Sequence, residues 1–318
     1  MKSHKCCVYL GENLAAYGFG HGHPFGPKRH HVFAQAFYQQ ALHDKVDILL
    51  PETTDQAVLE LFHTHEYVEQ VKQQSRLGTG YLDQGDTPAF VGMYEAAAFV
   101  AGTVCNAVDR IVSNNYHRAF IPIAGLHHAR RHIAAGFCVF NDCGIAIEYL
   151  RQKYNIQRIA YVDIDAHHGD GVFYSFEEDK DLIFVDLHED GRFLYPGSGA
   201  ETERGKGRAK GTKLNIAMPP HSNDDDFMQA WNAVEAFLLT HGADFILLQC
   251  GADSIKGDPI THMEYTEKAH AHAATRLSLL ANELCQSRFI AMGGGGYNHE
   301  NIAKAWTAVV QSMAQAEY

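Results

Sequence analysis

Arg158-Ile159-Ala160-Tyr161-Val162-Asp163-Ile164-Asp165-Ala166-His167-His168-Gly169-Asp170 runs from an apolar strand-like segment straight into three carboxylates and two imidazoles. A buried strand that ends in so much charge needs a compensating cation. Asp165 and His167, two apart on an extended chain, point to the same side, and two carboxylates with one neutral imidazole at one point form a site for a divalent metal. The competing reading makes the acids caps of the following helix and the histidines surface residues. Position favours the metal, because open α/β sheets place their ligands at the C-terminal ends of strands.

The chain has 318 residues, 46% hydrophobic and 20% charged, enough for a large core in a single domain spanning 1–318. No apolar stretch approaches the roughly 20 residues of a membrane span, and the opening Met1-Lys2-Ser3-His4-Lys5-Cys6-Cys7 leads into no signal-peptide core. A soluble, cytoplasmic protein is expected. Seven cysteines, odd in number and without a C-x-x-C pair, argue against a disulfide framework and a structural zinc site. The net charge of -12 disfavours direct nucleic-acid binding and draws cationic substrates. The 21 histidines cluster at 21/23/30/31, 63/65, 127/128/132 and 167/168.

No internal repeat or low-complexity linker divides the chain. Apolar runs predict strands over 5–10, 118–123, 158–164, 182–187, 211–216, 244–249 and 289–292. Helical periodicity predicts helices over 29–42, 55–71, 94–111, 143–154, 224–239, 266–285 and 301–315. This alternation implies an open, mostly parallel sheet with helices on both faces. Periodicity disappears over 191–212, and the charged run at 201–208 reads as a solvated loop.

Four predicted strands end in reactive residues: His127-His128 after the run ending at Ile123, the cluster from Asp163 to Asp170, Gly251-Ala252-Asp253, and Gly293-Gly294-Gly295-Gly296-Tyr297. In a parallel sheet these ends share one edge, so His127, His128, Asp165, His167, Asp253 and Tyr297 can meet in one pocket. Asp165, His167 and Asp253 would hold the metal with positions open to water and substrate. Zinc suits them, with Fe(II), Co(II) or Mn(II) as alternatives. The paired histidines suit proton transfer, with Asp163 and Asp170 as their carboxylate partners. Tyr297 can donate its hydroxyl to a developing oxyanion. A phosphate-cradling role for the glycines lacks the P-loop lysine and serine.

At these residues the chain resembles the zinc-dependent histone deacetylase superfamily, which includes bacterial acetoin-utilisation proteins and acetylpolyamine amidohydrolases. The resemblance covers nearly the whole chain, through His23-Pro24 to Arg29, His127-His128, Gly136-Phe137-Cys138, Asn141-Asp142, the 163–171 block, His188, Tyr195-Pro196-Gly197-Ser198-Gly199, Gly251-Ala252-Asp253-Ser254 and the 293–297 run. It implies an arginase-like, deacetylase-type fold with eight parallel strands. It also implies metal ligands at Asp165, His167 and Asp253, a general base and acid at His128 supported by Asp170, and His127 backed by Asp163. Tyr297 would polarise the carbonyl. A structural potassium ion would lie among Asp163, Asp165, His167, Asp186 and Leu187, with Asp186 replacing the family's usual serine and tightening or redirecting cation binding.

The family's acyl-lysine tunnel would be walled by Gly136 and Phe137 and gated by Asp86. Its second aromatic is expected just after His188, where Glu189-Asp190-Gly191 stands instead, implying a wider or more polar tunnel. Ile260 falls where polyamine-selective members can carry an acid, which weighs against an acetylpolyamine substrate. The implied function is metal-dependent removal of an acyl group, chiefly acetyl, from a lysine side chain or a small acylated amine. A non-catalytic acyl-amine or protein-binding module is the alternative of another class; loss of a metal ligand, of His127/His128 or of Tyr297 would signal it, and none is lost. A two-manganese ureohydrolase would need more ligands than Asp253 at its strand end. Cys138 reads as a packed thiol rather than a nucleophile, and His21 with His23 as a rim or structural pair.

Overall fold

Parallel strands cannot be joined by hairpins, so every step between neighbours must cross over a sheet face, usually through a helix. The computed structural model describes residues 5–20 and 22–316 and follows that rule. The N-terminal part comprises β1 (Cys6–Tyr9), α1 (Glu12–Ala15), α2 (Lys28–Gln39), β2 (Asp47–Leu49), α3 (Gln56–Leu59), α4 (His65–Leu77), α5 (Met93–Val112) and β3 (Arg118–Ile121). The middle comprises α6 (Asp142–Tyr154), β4 (Ile159–Asp163), α7 (Asp170–Ser175), β5 (Leu182–Glu189) and β6 (Lys213–Met218). The chain continues through α8 (Asp224–His241), β7 (Phe245–Gln249), α9 (Glu267–Leu284), β8 (Phe289–Met292) and α10 (His299–Gln315).

The eight strands form one all-parallel sheet in the order β2-β1-β3-β8-β7-β4-β5-β6. Every residue of β1, β3, β4, β5, β7 and β8 is buried, so both faces are covered. That is why these strands read as continuous apolar runs rather than alternating ones. Helices α2, α9 and α10 pack together as one group, and α5 packs on α6 as another. The four strands with reactive endings, β3, β8, β7 and β4, are adjacent at the centre. Their C-terminal ends form one edge.

Besides the short helices α1 and α7, which the helical periodicity does not reach, two elements differ from the sequence-based expectation. The helix expected over 55–71 is two helices, because Thr64 is extended and its hydroxyl accepts the Tyr67 N–H at 3.3 Å, capping α4. The break places His63 where its Nε2 accepts the Asn141 N–H at 2.9 Å. Strand β2 was not anticipated. It is three residues long at the sheet edge, paired only with β1, and too short to show a period.

All seven cysteines are free and buried. Among the described residues no helix is long and apolar enough to cross a membrane. The opening residues 1–4 and His21 lie outside the described residues.

Helix α5 leans on the segment before α3 through Gly102, where an added β-carbon would meet the Thr53 carbonyl carbon at 2.4 Å and the Glu52 oxygen at 2.5 Å. Helix propensity favours alanine over glycine by about 1 kcal/mol, but overpacking against backbone costs about 1–3 kcal/mol. Gly102→Ala is therefore expected to destabilise the protein, and urea unfolding checks the sign.

Candidate active site

The charged end of β4 folds as the period of two requires. Asp165 and His167 face one point, whereas His168 faces away and pairs its Nδ1 with the Ser198 hydroxyl at 2.9 Å. Asp253, in the turn after β7, completes the group, and one ligand atom from each of Asp165, His167 and Asp253 lies within 4.8 Å of the others. All three are buried. His167 Nδ1 stands 3.0 Å from Asp165 Oδ1 and 3.2 Å from Asp253 Oδ2.

Burial pushes the His167 imidazole down, yet the two carboxylates outweigh it and raise the group to about 10. Burial, with Asp165 next, pushes the Asp253 carboxyl up. Asp253 Oδ2 accepts no hydrogen bond among the described residues. An orphaned carboxylate oxygen and an imidazole nitrogen forced to carry a proton between two acids are what a divalent cation would relieve, so the residues fit a metal.

The remaining lone pairs are taken. Asp165 Oδ2 accepts from Gln249 Nε2 at 2.7 Å and from the Gly295 N–H at 2.8 Å, while Asp253 Oδ1 accepts the Ala166 N–H at 2.9 Å. Such bonds orient ligands. Glycine is required at Gly295, because a β-carbon there would lie 2.1 Å from Asp253 Oδ2.

His127 and His128 stand beside this centre on the loop after β3. Asn141 shapes that loop: its Oδ1 caps α6 by accepting the Gly144 N–H, while its Nδ2 donates to the carbonyls of His127 and Ala129. Each ring has its own acid, His127 Nδ1 lying 2.7 Å from Asp163 Oδ2 and His128 Nδ1 2.8 Å from Asp170 Oδ1. The two Nε2 atoms face each other at 3.1 Å. Burial first, then His127, pushes His128 down to about 4, so its Nε2 offers a free lone pair at neutral pH. Burial raises Asp170, but the bonds from His128 and Arg130 together outweigh it and leave the carboxyl below its ordinary value.

A cavity of about 230 Å³ opens above the centre. His128, His167 and Tyr297 line its depth; Gly136 and Phe137 form one wall, and Asp86 and Ile260 stand on it as well. Gly136 has φ 53, and a β-carbon there would strike the His128 ring at 2.4 Å. Phe137 also takes a left-handed conformation, φ 68. It is held there by its N–H, which donates to Thr87 Oγ1, and by its carbonyl, which accepts from the Tyr17 hydroxyl. The Asp86 loop is organised by Asp83, whose Oδ1 accepts the N–H groups of Gly85, Asp86 and Thr87.

The second wall does not stand where it is expected, just after His188. Leu194 and Tyr195 supply it, with the Tyr195 ring centroid 5.2 Å from that of His128. Glu189 turns away and accepts from the His262 N–H and Nδ1. The loop after β5 folds back on itself, Phe193 N–H to Asp190 O and Gly197 N–H to Leu194 O, and this arc carries the aromatic past the residues nearest His188.

Tyr297 packs edge-on against Phe137, ring centroids 5.8 Å apart, and burial holds its phenol far above the ordinary value, as a neutral donor. Its backbone N–H donates to Asp258, and Arg29, fully buried, donates to the carbonyls of Gly294 and Gly296. Sequence reading assigned no role to Arg29, Gln249, Tyr195 or Asp258. Arg29 and Tyr195 stand inside motifs of the family resemblance, and Gln249 carries a visible signal as a polar residue ending an apolar strand.

Asp186, within β5, lies in direct register with Asp163 at the end of β4. The added carboxylate is engaged by the protein itself: Oδ2 accepts the Gly169 N–H, and Oδ1 meets His188 Nδ1 at 2.7 Å. His188 Nε2 lies 2.9 Å from the Gly199 carbonyl, so both ring nitrogens face acceptors, and the Asp186 charge raises His188 against the effect of burial. Cys138 donates to Gly136 O and is pushed far up by burial, a thiol rather than a nucleophile. His23 is fixed by backbone, donating to Asp86 O and accepting from the Phe25 N–H.

Loading a metal must displace the proton that the two acids hold on His167. At pH 7 the titration is expected to release one proton per metal from His167 and a further fraction from Asp253, whose carboxyl burial raises to about 7. Apparent affinity should climb with pH until His167 loses its proton unaided, near 10. Calorimetry in two buffers of different ionisation enthalpy measures the release; an equal heat in both would refute it.

The histone deacetylase domain family matches residues 23–313. The acetoin utilization protein AcuC of Bacillus subtilis is 34% identical over 306 residues, covering 93% of this chain and 79% of the relative. That of Staphylococcus xylosus is 33% identical over 318 residues, covering 96% and 81%. The crystal structure of the HDA15 HD domain superposes with a TM-score of 0.90 at 25% identity, covering 98% of this chain and 89% of that one. With the family spanning most of its length and the same eight-stranded fold beneath it, this chain belongs to the histone deacetylase family.

Proposed function

We propose that the protein hydrolyses the amide of an acylated amine, acetyl-lysine foremost, releasing acetate and a free amine. The observation that carries this reading is the pair His127 and His128, each with its own carboxylate, standing beside a buried Asp-His-Asp centre at the bottom of a walled cavity. A divalent ion held by Asp165, His167 and Asp253, with zinc the best match to the donor set, supplies Lewis acidity for the acyl carbonyl and the attacking water.

The chain's own groups do the rest. His128 Nε2 accepts the proton of the attacking water, with Asp170 fixing the ring through Nδ1. Tyr297 donates its hydroxyl to the carbonyl oxygen as negative charge develops there, a role in which one donor is worth about 3 kcal/mol. The C–N bond then breaks, and the histidine pair returns a proton to the leaving amine. Asp163 orients His127, and with Asp165, His167, Asp186 and Leu187 it forms the candidate seat of a structural potassium ion. There one oxygen of Asp186 is already engaged by His188 Nδ1.

Phe137, Leu194 and Tyr195 present apolar walls to an aliphatic stem, and Asp86 offers a carboxylate acceptor to the donor groups of whatever carries it. Ile260, which carries no charge, gives a second ammonium nothing to bind and weighs for acyl-lysine over a polyamine. The name acetoin utilization protein attaches to relatives, so a small metabolic acyl amine is the second reading.

His128→Ala and Tyr297→Phe are each expected to lower turnover at least 100-fold while metal content stays near that of the parent. Metal analysis and acetate release from an acetyl-lysine peptide, free acetyl-lysine, acetylputrescine and acetylspermidine test this. Near-parental turnover in either variant removes the assigned role. Preference for a small amine over the peptide moves the substrate to metabolism.

A further inference from the structure

Tyr297 follows four glycines, and Gly294 and Gly296 take φ values of 69 and 121, so the backbone before it has little stiffness of its own. What fixes the tyrosine must come from elsewhere. Asp258, in the loop beyond β7 and only 8% exposed, accepts three backbone N–H groups: Tyr297 at 2.7 Å and Asn298 at 3.3 Å on Oδ2, and Ile260 at 3.1 Å on Oδ1.

The same loop is fastened to the start of α10. Asn298 caps that helix and donates its side-chain amide to Gly257 O, and Asn301 Nδ2 donates to the carbonyls of Ile255 and Lys256. From the other side Arg29 holds the carbonyls of Gly294 and Gly296. Asp258 alone among these groups touches both Tyr297 and Ile260, and both residues line the cavity.

We propose that Asp258 is a positioning residue for Tyr297: its carboxylate holds the tyrosine hydroxyl in register with the substrate carbonyl and ties that register to Ile260 in the cavity wall. This rests on the reading of Tyr297 as the donor to the carbonyl. Asparagine at 258 keeps the size but turns an amide toward N–H donors, so one of the two clamps is lost. A displacement of the order of 1 Å at a reacting group can cost about 100-fold in rate.

The test is a cycle of Asp258→Asn, Tyr297→Phe and the double variant on the metal-loaded full chain. An acetyl-lysine peptide is the main substrate. A trifluoroacetyl-lysine peptide, whose electron-poor carbonyl needs less polarisation, keeps weak variants measurable. Asp258→Asn should lower kcat about 10- to 100-fold, with KM within about two-fold and metal content and Tm close to the parent. Added to Tyr297→Phe, it should cost no more than about two-fold further, because the group it positions is already gone.

Equal losses in the two backgrounds, or a change in KM alone, would overturn the positioning role. If Tyr297→Phe itself retains parental turnover, it is the proposed function that fails. Should Asp258→Asn not fold, Asp258→Ser keeps one acceptor and runs through the same cycle with the same criterion.

Discussion

The site depends on two carboxylates, Asp165 and Asp253, brought to one buried point. Like charges in a medium of low dielectric repel strongly, and neither acid can be relieved by solvent. His167 stands between them, its Nδ1 3.0 Å from Asp165 Oδ1 and 3.2 Å from Asp253 Oδ2. Gln249 and the Gly295 N–H take up the outer lone pairs of Asp165. The centre is thus stressed in the direction that a divalent cation corrects.

That demand propagates outward. The chain must approach the acids closely, which is why Gly251 and Gly295 have no room for a β-carbon: one would meet Asp165 Oδ2 at 2.0 Å, the other Asp253 Oδ2 at 2.1 Å. Glycine in turn leaves Tyr297 on a pliant backbone, and its place is set by contacts from distant parts of the chain, Asp258 and Arg29. The histidine pair shows the same arrangement, with Asn141, Asp163 and Asp170 fixing what the loop alone would leave loose. Rigidity at the bottom of the cavity comes from buried polar groups rather than from regular structure.

Much of this was legible in the residues because it is local. The apolar runs ending in reactive residues marked β4, β7 and β8, and an alternation of two put Asp165 and His167 on one face and His168 on the other. Helix α10 and helix α9 were readable from their 3.6 period. The split between α3 and α4 was less so, since Thr64 interrupts an otherwise continuous helical pattern only by capping. The edge strand β2 escaped because three residues carry no period.

The sequence by itself determined which chemistry is available and that it lies at strand ends, because strand direction and side-chain alternation are properties of a few consecutive residues. Tertiary structure alone decided that Tyr195 rather than a residue beside His188 closes the cavity, that Glu189 turns away to His262, that His188 meets the charge of Asp186, and that Asp258 reaches Tyr297. Those outcomes depend on the paths of aperiodic loops over the end of a sheet. Such a path is chosen by the sum of burial and backbone hydrogen bonding across the whole fold, and no short window of residues contains that sum.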